Sequence, residues 1–277
     1  MKKKITIFVA CHKPVEVSSD EVFTPIHTGR AVSPYKEEMR SMIGDDTGDN
    51  ISERDSSYSE MTVHYWAWKN YHDSEYIGFC QYRRYFYEKI TSDNIDDYFQ
   101  SGTDVLLVGP CMRSHNRWTF LTTYVCAEDL AIMQKVVQKL YPDYYTTLSQ
   151  YGFNYIDYPF NMFICRRELF EKYAEWIFSI LFECEKYIKP SPYSRARRVY
   201  GYLAEFLTPI FFIHNGFKIK PLHYYRKEWG VKMGGLSIMQ KMKMRILRNL
   251  VYFREKHNII DIDSAVELGL KKDGIFV

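Results

Sequence analysis

The 277-residue sequence has no C-x-x-C pair, no apolar run long enough to cross a bilayer, no internal repeat and little net charge. Each absence removes a class of function. The six cysteines (Cys11, Cys80, Cys111, Cys126, Cys165 and Cys184) are scattered, which excludes a zinc ribbon and a small disulfide scaffold. Several of them sit inside apolar runs and read as buried thiols of a reducing compartment. A membrane span needs roughly 20 apolar residues; the nearest stretch, Leu203–Ile213, is interrupted by Glu205 and Pro209. The apolar run Ile5–Cys11 is too short for a secretory signal, is followed at once by His12 and Lys13, and reads as a buried strand. A cytoplasmic protein is expected, with peripheral contact at the inner face of the cell membrane as an extension of that reading. A net charge of +3 makes the whole molecule no polyanion binder, and no nucleic-acid motif accompanies its basic residues.

What the chain has in abundance is aromatic surface. Phe, Trp and Tyr make up 17% of it, including 24 Tyr, 18 Phe and 5 Trp. Tyr and Trp join a flat apolar face to a hydrogen-bonding tip, so they can stack on nucleobases and on the C–H faces of sugars or simply fill a large core. The charge is uneven as well. Residues 226–257 hold nine Lys or Arg against two Glu, so the remainder carries about −4, with an acidic cluster at Asp45, Asp46, Asp49, Glu53, Asp55 and Glu60.

Hydrophobic patterning predicts strands at Lys4–Ala10, Tyr76–Cys80, Asp104–Val108, Phe160–Cys165 and Phe217–Leu222. Helices are predicted from Ser57 to about Asn70, over Glu128–Leu140 and Leu169–Cys184, and from near Arg198 towards Pro209. The first carries an apparent Ser57-x-x-Glu60 capping box. Residues 12–55 read as irregular, and a loop region of that length in a compact domain is usually functional. Alternating strands and helices give an α/β fold with a parallel or mixed central sheet over residues 1–225, followed by a basic helical appendage over 226–277. Ligands of such sheets bind beyond the carboxyl ends of the strands. The chemistry is therefore sought at His12-Lys13, at Gln81–Arg84 and after Val108.

Several strings are long and uncommon: Ala10-Cys11-His12-Lys13-Pro14, the loop Gly44–Ser52, Tyr58–Thr62, Tyr65–Asn70, Tyr76–Phe86, Asn161–Ile164 and Gly201–Glu205. Over roughly residues 5–225 they resemble, in order, a domain-of-unknown-function family found in capsular and exopolysaccharide gene clusters and treated as glycosyltransferases. The resemblance implies a GT-A-like, Rossmann-type domain. It also implies transfer of a sugar, galactose or galactofuranose among the candidates, from a UDP-linked donor to a lipid-linked glycan. A non-catalytic carbohydrate-binding or assembly protein on the same fold is the alternative. The chain departs from the family's pattern at Gln81, where His is usual, and at Phe206, where Arg is usual.

Sugar transfer releases a diphosphate that gains negative charge, so a cation is needed beside it, and direct displacement also needs a base for the acceptor hydroxyl. GT-A enzymes often hold a metal with Asp-x-Asp after a central strand. Here that position is Gln81-Tyr82-Arg83-Arg84, and the sole Asp-x-Asp, Asp261-Ile262-Asp263, lies in the tail. Arg83 or Arg84 is expected at the diphosphate, since guanidinium forks match phosphate oxygens; an ordinary ion pair is the competing account. No cofactor is expected. The loop acids Asp45, Asp46 and Asp49 with Asn50 could contact the donor, hold Mg²⁺ or Mn²⁺, or form a solvated turn. His12 and Lys13 are candidates for the donor's base or ribose, and Gln81, Tyr82 and Asn161 for sugar hydroxyls. Glu205, a carboxylate in an apolar stretch, is the first candidate base and Asp157 the second; an ion pair of Glu205 with Arg197 or Arg198 is the rival. The stripe Met242, Ile246, Leu250 and Phe253, set among Lys241, Lys243, Arg245, Arg248 and Arg254, fits a helix on an anionic membrane surface. The same helix packed on the domain, or on a second subunit in a homodimer, fits too.

Overall fold

A computed structural model describes residues 2–17, 19–226, 232–243, 246 and 262–277. The strands are β1 (Lys3–Cys11), β2 (Phe23–His27), β3 (Ile43–Gly44), β4 (Ser74–Gln81), β5 (Arg84–Phe86), β6 (Val105–Val108), β7 (Cys111–Met112), β8 (Ile156–Asp157), β9 (Phe163–Arg166), β10 (Ile219–Leu222), β11 (Tyr224–Arg226) and β12 (Lys232–Met233). The helices are α1 (Asp55–Tyr58), α2 (Met61–Asn70), α3 (Ile95–Tyr98), α4 (Arg117–Leu121), α5 (Ala127–Leu140), α6 (Tyr144–Gly152), α7 (Arg167–Glu185), α8 (Ser194–Arg197) and α9 (Val199–His214), with a last helix at Ser264–Lys272.

The central sheet runs β10-β6-β9-β4-β1-β2-β3. Its neighbours are parallel except β9, which is antiparallel to both β4 and β6. The mixed α/β architecture is thus the one read from the sequence. Successive residues of β1 point to opposite faces: Phe8 and Ala10 join one core and Ile7 and Val9 another. Burial on both faces is why β1 reads as an apolar run interrupted only at Thr6, whose hydroxyl bonds the Tyr71 hydroxyl. The first core holds the buried sides of α2, α5, α7 and α9; the second is closed by Ile95 of α3 and by Phe99.

Strand order reverses at β1, which has β2 on one side and β4 on the other. The crevice at their carboxyl ends is the place where open α/β sheets bind ligands. Next to it, β5 pairs with the end of β4 and with β11, and β11 pairs with β12.

Three expectations need correction. The region 12–55 is not wholly irregular: β2 and β3 extend the sheet there. The Ser57–Glu60 box does not form, because Ser57 lies in α1, Ser59 takes a φ of 55°, and Glu60 precedes α2 without a side-chain cap bond. The helix from Arg198 does not stop at Pro209 but continues to His214. Inside that helix Pro209 has no N–H to offer the carbonyl of Glu205, four residues earlier. Beyond residue 225, β12 joins the ribbon with β11, and Leu270 of the last helix is core while Glu267 pairs with Lys135 of α5 at 3.3 Å. Of the proposed membrane helix, Met239, Met242 and Ile246 are exposed; Arg245, Leu250, Phe253, Arg248 and Arg254 lie outside the described residues, as does Asp261. Among the described residues no helix is long and apolar enough to cross a membrane.

Candidate active site

A cleft of about 400 Å³ opens at the carboxyl end of β4, walled by the β5–β11–β12 ribbon, α4 and α9. Five arginines (Arg84, Arg113, Arg117, Arg198 and Arg226) and two glutamates (Glu60 and Glu205) line it. An excess of guanidinium groups in a concave, partly desolvated site is the electrostatic signature of an anion site.

Arg84 opens β5 directly opposite Arg226 of β11. Its Nη1 donates to Gln81 Oε1, its guanidinium lies 4.1 Å over the Phe160 ring, and among the described residues its buried Nε has no hydrogen-bond partner. Burial, and then the charge of Arg226, lower its pKa. Phe160 and Asn161 both have positive φ, 77° and 53°. Two non-glycine residues in the left-handed region are strained backbone of the kind that gathers at functional sites. Here Phe160 lines the cleft while Asn161 is buried beneath it.

Gln81 ties Arg84 to the floor. Its Nε2 donates to Glu60 Oε1 at 3.2 Å, and Asn161 Nδ2 reaches the same oxygen at 3.1 Å. Thr208 of α9 in turn donates to Asn161 Oδ1 at 3.0 Å. Glu60 is thus a held anion, with Arg198 3.8 Å from its other oxygen.

Arg113 and Arg117 share Asp157, which is fully buried on β8. Both Nε and Nη2 of Arg113 donate to Asp157 Oδ2, and Arg117 Nη2 lies 3.1 Å from Oδ1. Arg117 is only 1% exposed, yet among the described residues its Nε and Nη1 have no hydrogen-bond partner. Asp157 therefore anchors two cations and is enclosed, which places it poorly for proton transfer with a substrate.

Glu205 is different. It is half-buried on the cleft wall and, among the described residues, makes no hydrogen bond or ion pair. Burial raises its pKa to about 7, helped by the charges of Asp157 and Glu60 and opposed by Arg117 and Arg113. The rival ion pair is absent: Arg197 donates to the carbonyls of Ser191 and Pro192, and Arg198 to Ser59 Oγ.

The remaining expected site residues are dispersed. Arg83 is exposed, with its guanidinium 5.0 Å over the Tyr82 ring, and neither residue lines the cleft. His12 Nδ1 sits 3.4 Å from Asp55 at the end of β1, and Lys13 is exposed beside it. The acidic loop is wired internally. Asp45, fully buried, accepts from the Gly29 and Arg30 N–H groups and from the Ser52 and Thr62 hydroxyls. Asp46 pairs with Arg30, Asp49 accepts from Tyr65 OH, and Asn50 Oδ1 accepts from the Ser52 N–H. Asp45 is thus fully engaged, whereas Asp49 stays exposed with one carboxylate oxygen in a hydrogen bond among the described residues. Among the described residues no three His, Cys, Asp or Glu side chains gather as metal ligands.

Arg113, Arg117 and Arg226 were not expected at the site. Arg113 and Arg117 follow β6 at i, i+4 spacing, in the stretch after Val108 that the α/β rule marks for scrutiny. Arg226 carries no local signal, since the long-range pairing of β11 with β5 puts it there.

A family described as "Domain of unknown function (DUF4422)" matches residues 6–216. No curated protein matches the chain. Among solved structures, the apo form of WbbM, a bifunctional glycosyltransferase, is similar at 28% identity with a TM-score of 0.69. The match covers 85% of this chain and 47% of WbbM, so the chain spans about half the length of that relative. The fold is that of a glycosyltransferase-related domain, and the chain belongs to the DUF4422 family.

Proposed function

We infer that the chain is a glycosyltransferase that takes a sugar from a nucleotide-diphosphate donor. The observation that carries this reading is Glu205, a carboxyl with no hydrogen-bond partner among the described residues and a pKa raised to about 7, in a cleft where arginines outnumber carboxylates. A general base works best with a pKa near the operating pH. Guanidinium groups fixed before the reaction stabilise the charge that develops on a leaving diphosphate. In this reading an acceptor hydroxyl gives its proton to Glu205 while its oxygen attacks the anomeric carbon. The bond from that carbon to the diphosphate oxygen breaks, its electron pair stays on the diphosphate, and the configuration inverts. Arg84, facing Arg226, takes the diphosphate; Arg83, exposed and absent from the cleft lining, does not. His12 and Lys13, at the β1 end of the crevice, are assigned to the nucleoside.

The acceptor is taken as a lipid-linked surface glycan, and UDP-galactose, in pyranose or furanose form, is the first donor to test, both on the family resemblance. A non-catalytic sugar-binding protein would have no use for a half-buried carboxyl held, among the described residues, without a hydrogen-bond partner beside two other acids. The test is nucleotide release across a panel of nucleotide sugars, with and without EDTA, for the protein and for Glu205→Gln. Turnover that the substitution abolishes supports the reading. No release with any donor, or equal release from the variant, overturns it.

A further inference from the structure

Three half-buried rings, Phe120, Tyr124 and Tyr202, stand on the cleft wall that carries Glu205. Tyr202 precedes Glu205 by three residues on α9, so the two share one helix face. The Tyr124 and Tyr202 ring centroids are 4.8 Å apart at 37°, and Phe120 is 5.5 Å from Tyr124. The rings thus pack on one another at a tilt as one aromatic cluster, the shelf of this cleft wall, and the Phe120 ring also carries Arg113 and Arg117 at 4.5 and 5.1 Å. Among the described residues neither the Tyr124 nor the Tyr202 hydroxyl has a hydrogen-bond partner, and neither is buried. Exposed arginines frame the shelf, Arg195 at 5.4 Å from the Tyr124 ring and Arg198 at 5.8 Å from that of Tyr202.

The chemistry matching such a surface is a sugar ring. One face of a hexose or pentofuranose presents several C–H groups that pack on aromatic carbon, while the rim of hydroxyls seeks donors and acceptors such as phenols and guanidinium groups. A nucleobase also stacks on aromatics. The topological crevice, however, lies at the ends of β1 and β4, and the shelf is built from α4, the segment after it and α9, with nothing from β1 or β2. Donor and shelf are on different walls, with Glu205 beside the shelf.

We propose that Phe120, Tyr124 and Tyr202 are the acceptor subsite, holding the terminal sugar of a glycan by its C–H face so that one of its hydroxyls meets Glu205. The proposal rests on the reading of Glu205 as the base. The acceptor is recognised through its sugar, so a short glycoside without lipid binds at the shelf.

Saturation-transfer NMR of the full chain with UDP and a panel of methyl glycosides tests this directly, because it needs no turnover. Ring protons of at least one glycoside should receive saturation, falling about fivefold or more in Tyr202→Leu and in Tyr124→Leu, while Tyr202→Phe, which keeps the stacking face, retains most of it. Where turnover is measurable, Tyr202→Leu should raise the acceptor KM about tenfold and the donor KM less than twofold. No saturation of any glycoside overturns the proposal. So does loss of saturation at the uracil protons in the Tyr variants with the glycoside signal unchanged, which would give the shelf to the donor's base. Failure of Glu205→Gln to lower turnover would instead remove the catalytic reading, leaving the NMR result to stand or fall by itself.

Discussion

Arg84 and Arg226 stand directly opposite one another in the antiparallel pairing of β5 with β11. Like charges so placed are destabilising, by about 0.2–1 kcal/mol in ordinary sheets, and Arg84 has no carboxylate within ion-pair distance among the described residues. A dianionic ligand resolves that repulsion. Arg84→Gln should therefore lower kcat/KM for the donor about 10²–10³-fold, the usual loss for one fixed donor to a developing anion, with no fall in melting temperature. Inorganic pyrophosphate should raise the melting temperature of the parent protein and lose most of that effect in the variant. A variant with unchanged kcat/KM would move the diphosphate elsewhere.

Glu205 should set the acidic limb of the pH profile. A base must be deprotonated, so kcat/KM should rise as pH climbs through about 7 and level off above it. Glu205→Gln should lower kcat about 10²–10⁴-fold and erase that limb. Stability moves the opposite way. The folded pKa lies above the ordinary 4.5, so between about 4.5 and 7 the folded state binds more protons than the unfolded one. The folded state therefore loses stability as pH rises through that window. The melting temperature of Glu205→Gln minus that of the parent should grow from pH 5 to pH 8. A flat difference would show that Glu205 keeps an ordinary pKa.

The sheet was legible because burial on both faces leaves long apolar runs such as Ile5–Cys11, which need no partner to be recognised. The strand β2 was not, because Pro25 and the exposed residues before it resemble loop, and only parallel pairing with β1 makes it a strand. At the site, Glu205 and Arg84 could be found by position alone, a charge inside an apolar stretch and a cation after a strand end. Asp157 carried the right residue type but not its partners, Arg113 and Arg117, which arrive through the packing of β7 and α4 against β8. The wiring of the acidic loop was hidden for a related reason. Local sequence shows a cluster of carboxylates, whereas the donors that satisfy Asp45 come from residues 29, 30, 52 and 62.

Asp157→Asn separates a positioning role from a catalytic one. The substitution leaves Arg113 and Arg117 without their shared anion, and breaking a buried pair costs about 3–5 kcal/mol, read as a lower urea midpoint. It also removes a negative charge that raises the Glu205 pKa and unmasks two cations that lower it. The acidic limb of kcat/KM should move below pH 7, a shift that mere loosening of the fold would not produce. An unmoved limb would detach Asp157 from the site.

The loop Asp45–Asn50 provides the test of metal use. Asp45 already accepts four hydrogen bonds, two of them from backbone N–H groups, so it has no oxygen to spare for a cation. Replacing it with Asn turns one acceptor into a donor facing donors, at a cost of about 3 kcal/mol or more. Asp45→Asn should therefore lower the urea midpoint whether or not Mn²⁺ is present. EDTA should leave both the melting temperature and the nucleotide-releasing activity of the parent protein in place if, as proposed, Arg84 and Arg226 supply the positive charge at the diphosphate. Complete loss in EDTA restored by Mn²⁺ would refute the arginine mechanism. A melting temperature that rises with Mn²⁺ in the parent but not in Asp45→Asn would return the cation to this loop.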